Sequence, residues 1–306
     1  MKIMVTGRHG QVGWELLRSL APLGQVIACD RRDLDLSRPE SLRAVVERLQ
    51  PDVVVNAAAY TMVDKAEQEE ELATTVNGAA AGALAEAARD AGALFVHYST
   101  DYVFDGSKEG AYLESDATNP LNAYGRSKLA GEQAVRAAGG DWLVLRTSWV
   151  YGARGKNFLR TMLRLAAERD ALNVVADQFG APTSARTIAD VTAHVISRAL
   201  AERRTGAFES GIFHLTASGV TSWHGFASHI IDAARTALPV GAIAVQSVKP
   251  IPAADYPTPA RRPVNSALDN TRLEQRFGVC RPSWQDAARC VLDEALEQMG
   301  AQQLSR

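Results

Sequence analysis

The sequence predicts an α/β protein on a doubly wound parallel sheet, the Rossmann arrangement, with a smaller C-terminal substrate-binding lobe. Three observations carry that reading. Short apolar runs alternate with amphipathic stretches from the first residue onward. The runs are continuous, as strands covered on both faces require. A glycine-rich turn stands directly between the first run and the first amphipathic stretch.

Taken in order, Ile3-Met4-Val5 is the first strand and residues 11–20 the first helix. Val26-Ile27-Ala28-Cys29 is a second strand, ending at Asp30. A helix begins near Pro39, whose fixed φ suits a first turn. It carries Leu42, Val45, Val46 and Leu49 at helical spacing. Val53-Val54-Val55 is the third strand and runs into Asn56-Ala57-Ala58-Ala59. Residues 72–91, rich in alanine, read as one long helix whose small side chains allow close packing on a sheet. Leu94-Phe95-Val96-His97-Tyr98 and Leu143-Val144-Leu145-Arg146 are the fourth and fifth strands, with a helix over 122–138 between them.

Past Val150 the rhythm loosens. Loops rich in Gly, Pro and Thr occupy 152–155 and 178–184, and five prolines across 249–263 preclude regular helix or strand throughout. Helical patterns return at 186–200, 223–237 and 284–299. The reading is a dinucleotide-binding domain over 1–150, rejoined by about 174–205. A substrate lobe then takes 151–173 and 206–306, with one or two segments of the last third re-entering the main sheet.

Composition narrows the function. Hydrophobic residues make up 46% of the 306, enough for a large core. Lys+Arg 33 against Asp+Glu 35 gives a formal charge of −2, which argues against a sequence-independent nucleic-acid binder. Cys29, Cys280 and Cys290 stand at no metal-ligand spacing and suit a reducing compartment. The N-terminus lacks the features of a signal peptide, and no apolar run reaches the ~18 residues of a membrane span. A soluble cytoplasmic protein is expected, with neither nucleic acid nor membrane as partner.

Thr6-Gly7-Arg8-His9-Gly10-Gln11-Val12-Gly13 is G-x-x-G-x-x-G at the first strand–helix junction. Glycines there permit a tight turn and let backbone N–H groups approach a pyrophosphate. Asp30 lies 23 residues after Gly7, near the offset of a ribose-binding acid. Its carboxylate suits the 2′-hydroxyl of NADH, while Arg31 and Arg32 suit the 2′-phosphate of NADPH, so both cofactors stay open. Tyr124-Gly125-Arg126-Ser127-Lys128 is Y-x-x-x-K on a helix, which puts the ammonium and the phenol on one face. A nearby Lys cation, together with the positive nicotinamide of an oxidised cofactor, is expected to lower the phenol's pKa. Ser99 and Thr100 follow the fourth strand, at the sheet end where parallel sheets bind ligands, and offer hydroxyls to a carbonyl oxygen.

These residues bring the chain to a resemblance. It is similar to the extended short-chain dehydrogenase/reductase superfamily, and within it to the dTDP-4-dehydrorhamnose reductase family. The carriers are Gly7 to Gly13, the run from Asn56 to Glu67, Ser99 to Gly106, and Arg146-Thr147-Ser148-Trp149-Val150-Tyr151-Gly152. Further matches are Gln178 to Ser184 and Arg262-Pro263-Val264-Asn265-Ser266. The resemblance implies NAD(P)H-dependent reduction of the 4-keto group of a dTDP-linked deoxysugar, with Thr100, Tyr124 and Lys128 as catalytic residues. It implies Gly7, Gly10, Gln11, Val12, Gly13, Asp30, Asp35, Leu36, Ala58, Ala59, Tyr60, Tyr98 and Lys128 along the cofactor. Thr61, Val63, Asp64, Thr100, Asp101 and Trp149 would face the sugar. Arg160, Arg164, Arg261 and Arg262 are candidates for the pyrophosphate of dTDP. Some members hold Mg²⁺ at a homodimer interface, for which Glu294 and Glu297 are the candidates. Asp101 is followed by Tyr102, so the second carboxyl that a dehydratase needs is missing. A 4-epimerase and a non-enzymatic dinucleotide-binding regulatory subunit are the rival readings.

Overall fold

Apolar side chains alternate across each strand, which leaves two faces to cover, and the protein covers both. The computed structural model describes residues 1–304, with side chains through residue 298. The first half runs β1 (Lys2–Thr6), α1 (Gln11–Leu20), β2 (Gln25–Cys29), α2 (Leu42–Leu49) and β3 (Val53–Asn56). Two short helices follow, α3 (Val63–Ala66) and α4 (Glu70–Thr74), then a π turn (Thr75–Ala79) and α5 (Ala80–Asp90). Next come β4 (Leu94–Thr100), α6 (Ala123–Ala138) and β5 (Trp142–Thr147).

The second half is more broken. It holds β6 (Val150–Tyr151), α7 (Phe158–Glu168), β7 (Ala171–Val175), β8 (Phe179–Gly180), β9 (Thr183–Ser184) and α8 (Ala185–Thr205). After these come β10 (Gly211–His214), β11 (Thr221–Ser222), α9 (Trp223–Ala237), β12 (Ser247–Ile251), α10 (Thr271–Phe277) and α11 (Trp284–Leu304).

Six strands form one parallel sheet in the order β10-β5-β4-β3-β1-β2. Ile3, Val5, Val53, Val55, Val96 and Leu145 point to one face and pack with Leu16, Ile188, Val195 and Phe277 of α1, α8 and α10. Met4, Val54, Phe95 and Val144 point to the other, against Val46, Leu84 and Val135 of α2, α5 and α6. That is the period-two alternation of a strand buried on both sides. The chain leaves β1 for β2 on one side and returns to β3 on the other. The crevice of a doubly wound sheet therefore opens at the carboxyl ends of β1 and β3. A separate apolar core joins α7, α9 and α11 through Leu159, Leu163, Phe226, Ile230, Val291 and Leu292.

Two local features differ from the sequence pattern. Pro39 opens a single 3₁₀ turn (Pro39–Ser41), and α2 starts only at Leu42. The alanine-rich stretch is not one regular helix. It widens into the π turn at 75–79, where the buried Asn77 turns its amide away to bond the backbone of Tyr60 at 2.9 and 3.0 Å. β10, inside residues 206–306, is the expected segment of the last third that re-enters the main sheet, pairing with β5 and covered by α10.

One polar contact sits deep in this frame. Arg146 of β5 donates to both carboxylate oxygens of Glu132 on α6, at 2.9 and 2.7 Å, and Ser99 of β4 donates to the same carboxylate. Both charged side chains are only 3% exposed. Removing one member of such a pair strands a buried charge, which costs about 3–5 kcal/mol. Urea unfolding of Arg146→Met is expected to show a loss of that size, and the double variant with Glu132→Leu a smaller one. Equal losses would mean that the pair contributes nothing beyond packing.

Candidate active site

The glycine turn leaves β1 with Gly7 at φ +72 and closes through Gly10 N–H donating to the Gly7 carbonyl at 2.8 Å. A Cβ on Gly13 would stand 2.1 Å from that same carbonyl oxygen, so any larger residue breaks the turn. No side chain caps α1, whose N-cap is Gly10. The cradle thus fits the pyrophosphate of a dinucleotide, the group for which uncapped N–H donors at a helix start are suited. Gln11 bonds Asn157 of the second lobe at 2.7 Å, and Val12 packs on the core, so these two support the turn from behind.

Asp30 stands at the end of β2, its carboxylate fixed by the Arg32 N–H at 2.8 Å and the Arg32 guanidinium at 3.2 Å. Those hydrogen bonds hold it ionised, with a pKa near 2. Asp35 is committed to Ser37, and Leu36 is buried in the core on the α2 side of the sheet. Ala58 and Ala59 border the crevice next to the glycine turn, with Ala58 N–H donating to Thr6 Oγ1 at 3.0 Å. The Tyr60 phenol instead donates to Glu69 at 2.7 Å, and the Tyr98 hydroxyl reaches Thr192 of α8 at 2.7 Å.

Beyond β4 the candidate chemical groups converge. Asn122 caps α6 through Gly125 N–H at 2.8 Å, and Glu67 accepts from Ala123 N–H at 2.7 Å, which fixes the first turn of the helix. Tyr124 sits on that turn, edge-on to Tyr102 with ring centres 5.8 Å apart. Its phenol lies beside Thr100 and Asp101. Burial and then the Asp101 carboxylate push the phenol above its ordinary pKa, and the Thr100 hydroxyl works in the other direction. The expected lowering by Lys128 is not what the structure shows, because Lys128 Nζ is turned to His97 Nε2 at 3.3 Å. Burial pulls this lysine down to about 8.

Thr100 Oγ1 donates to Asp101 Oδ1 at 2.9 Å and accepts from Tyr102 N–H at 3.2 Å. Among the described residues the other oxygen of Asp101 has no hydrogen-bond partner. Burial raises its pKa from 3.8 to about 6, only partly offset by the hydroxyls of Ser266 and Thr100.

Among the residues expected on the sugar side, Asp64 lies near Tyr102, as does its partner Arg262. Thr61 is exposed, and Val63 and Asp64 are half-buried on α3. Asp64 accepts from Arg262 at 2.9 Å and from Ala260 N–H at 3.2 Å, tying α3 to the proline-rich loop. Of the four candidate cations, Arg262 is spent on Asp64, Arg160 on the Ala153 carbonyl and Arg164 on Glu168. Arg261 is exposed, and its own carbonyl accepts from the cap residue Asn122. Trp149 adopts φ +46, a strained value for a large residue. Its indole stacks on Trp223 at 3.6 Å and 8°, and the Gly180 backbone closes in so tightly that a Cβ there would stand 2.7 Å from the ring.

Four residues here escaped the sequence reading: His97, Glu132, Asn77 and Trp223. A polar residue inside a buried run or an alanine helix was the signal for the first three. Trp223 gives none, since an aromatic at a helix start looks like core. Among the described residues no group of three or more His, Cys, Asp or Glu is gathered as a metal site needs. Glu294 pairs instead with Arg186, and Glu297 is exposed, so nothing here supports the Mg²⁺ that the resemblance allows.

Known proteins resemble this arrangement along the whole chain. Residues 1–297 match the family of the RmlD substrate binding domain. A dTDP-4-dehydrorhamnose reductase of Burkholderia thailandensis is 58% identical over 298 residues, which span 97% of this chain and 100% of that protein. Among solved structures, a dTDP-4-dehydrorhamnose reductase of Clostridium acetobutylicum superposes with a TM-score of 0.86 at 37% identity, over 96% of this chain and 99% of its own. One from Bacillus anthracis, in complex with NADP, gives the same TM-score and coverage at 33% identity.

The Asp101 carboxyl makes a stability prediction. The folded chain binds its proton more tightly than the unfolded chain does, so its contribution is full below the ordinary 3.8 and fades as pH rises through about 6. Above pH 7 the ionised form costs up to roughly 3 kcal/mol. Asp101→Asn is expected to raise stability in urea at pH 7.5 and to gain much less at pH 4. An equal gain at both pH values would contradict this.

Proposed function

The chain belongs to the RmlD family, and on that premise we propose that it reduces the 4-keto group of dTDP-4-dehydro-L-rhamnose to give dTDP-L-rhamnose, with NADH or NADPH as reductant. The observation that carries the reading is the convergence of the Tyr124 phenol and the Thr100 hydroxyl at the carboxyl end of β4, two strands along the same sheet from the glycine turn that follows β1.

A bound dihydronicotinamide supplies the hydride for the keto carbon. Tyr124 is the proton donor. Its hydroxyl bonds the sugar's carbonyl oxygen and gives up its proton as negative charge develops there. The raised pKa of the phenol supports that role, because a general acid must still hold its proton at neutral pH. Thr100 makes the second hydrogen bond to the oxygen, for which its proton turns away from Asp101. Lys128 holds the ribose beside Tyr124. Gly7, Gly10 and Gly13 cradle the pyrophosphate, and the ionised Asp30 accepts from the 2′-hydroxyl of NADH. Arg31 and Arg32, on the same turn, give a 2′-phosphate its cations. Thr61, Val63, Asp64, Asp101 and Trp149 line the sugar. Arg261 is the cation still available to the dTDP pyrophosphate. In this reading 1–150 and 174–205 carry the cofactor, and the lobe built on α7, α9 and α11 carries the sugar nucleotide.

A 4-epimerase shares the Tyr–Thr pair but consumes no reductant. The test is absorbance at the reduced-nicotinamide band, with freshly made substrate and each cofactor in turn. Oxidation matched by dTDP-rhamnose is expected, and Tyr124→Phe should lower kcat by about 10²–10⁴ while cofactor binding persists. Interconversion of sugars without oxidation would favour the epimerase. Tight cofactor binding with no turnover would favour a regulatory subunit.

A further inference from the structure

Lys128 is 2% exposed, and among the described residues no carboxylate is bonded to it. Glu132, one helical turn on, is committed to Arg146 and Ser99. Among the described residues the hydrogen-bond partner of Nζ is a single imidazole nitrogen, Nε2 of His97, and that ring is 1% exposed. The contact continues inward. His97 Nδ1 meets the side-chain amide of Asn56 at 3.1 Å, the other end of that amide meets Thr6 Oγ1 at 2.7 Å, and Thr6 Oγ1 accepts from Ala58 N–H at 3.0 Å. The chain of contacts crosses three strands, from the residue before the glycine turn to the lysine on α6.

Proton counting allows this chain two states. If Lys128 is an ammonium it is donor only, so His97 Nε2 must accept and the ring's proton sits on Nδ1. Asn56 must then present its oxygen to the ring and its NH₂ to Thr6, whose two lone pairs take that donor and Ala58 N–H. If Lys128 is a neutral amine it can accept, the proton sits on Nε2, and Asn56 presents its NH₂ to the ring and its oxygen to the Thr6 hydroxyl. A neutral amine could also donate to Nε2 and keep the first arrangement, but the Thr6 hydroxyl then finds no acceptor on Asn56. The second arrangement makes every bond in the chain, so it is favoured once the charge is lost. It is the one in which Asn56 Nδ2 faces the ring and Oδ1 faces Thr6.

We propose that His97 is a positioning residue for the candidate catalytic lysine, whose tautomer is tied to the charge on Lys128 and, through Asn56 and Thr6, to the backbone beside the glycine turn. The proposal deepens the reductase reading and rests on it for the word catalytic. The charged or titratable groups acting on Lys128 are His97 on β4, which Nζ meets, and Glu132 on α6, which is held in turn by Arg146 of β5. The π turn and α5 present Asn77 and small residues there.

The direct test is ¹⁵N NMR of histidine-labelled full-length chain without cofactor, from pH 6 to 10. His97 is expected to carry its proton on Nδ1 at pH 6 and to pass it to Nε2 as Lys128 loses its charge, with the midpoint near 8. The change should vanish in Lys128→Met. One tautomer across the range, or the same change in Lys128→Met, would overturn the proposal. A second arm uses turnover. His97→Gln, whose carbonyl accepts from an ammonium, should keep the alkaline limb of kcat/KM, and His97→Phe should shift it down by about one pH unit or more. An unmoved limb in His97→Phe also overturns the proposal, and if that variant does not fold, the NMR arm decides alone. The NMR arm needs no turnover, so a failed reductase assay and a failed proposal remain distinct.

Discussion

Everything at the site depends on the buried ion pair between Arg146 and Glu132. Arg146 reaches from β5, Glu132 from α6, and Ser99 joins from β4, so one carboxylate sets the rotation of the helix against two strands. Tyr124 and Lys128 lie on that helix, eight and four residues before Glu132. A rotation of α6 would carry both off the end of β4, where Thr100 waits. The guanidinium also lies over the Phe104 ring at 5.0 Å, which replaces part of its lost water. Because Glu132 is neutralised by Arg146, Lys128 lacks the carboxylate partner a buried lysine usually needs, and His97 takes that place.

Around this anchor, burial shifts three groups in one direction. Asp101 and Tyr124 are raised and Lys128 is lowered, each toward its neutral form. A site whose phenol keeps its proton at neutral pH suits proton donation, as reduction of a carbonyl requires, better than abstraction of a proton. The cost is stability. An unpaired oxygen on Asp101 and a strained Trp149 backbone are features a merely structural corner would not keep.

The fold was legible because its strands are buried on both faces. Continuous runs such as Val53-Val54-Val55, with the glycine turn placed after β1, sufficed for the sheet and its crevice. Tyr124, Lys128 and Thr100 were legible because a short spacing and a strand end are local signals. His97 left only the weak signal of a polar residue within a buried run, since its partner is 31 residues away on another element. Loop 178–184 was read as irregular, yet β8 and β9 form there, because β8 pairs with β11 and β9 with β6. Two-residue strands held by distant partners leave no periodicity to read. Which neighbour Lys128 turns to was not legible either, because spacing on a helix does not say so, and Nζ faces His97.

The central claim is that Tyr124 and Thr100 together receive the carbonyl oxygen of a dTDP-linked sugar. A crystal structure of the chain with NADP⁺ and dTDP-L-rhamnose tests it most directly. The account predicts the sugar's C4 oxygen within hydrogen-bond reach of both Tyr124 Oη and Thr100 Oγ1, with the pyrophosphate of NADP⁺ on the glycine turn. A sugar bound with C4 turned away from Tyr124, or a dinucleotide bound elsewhere, would contradict it.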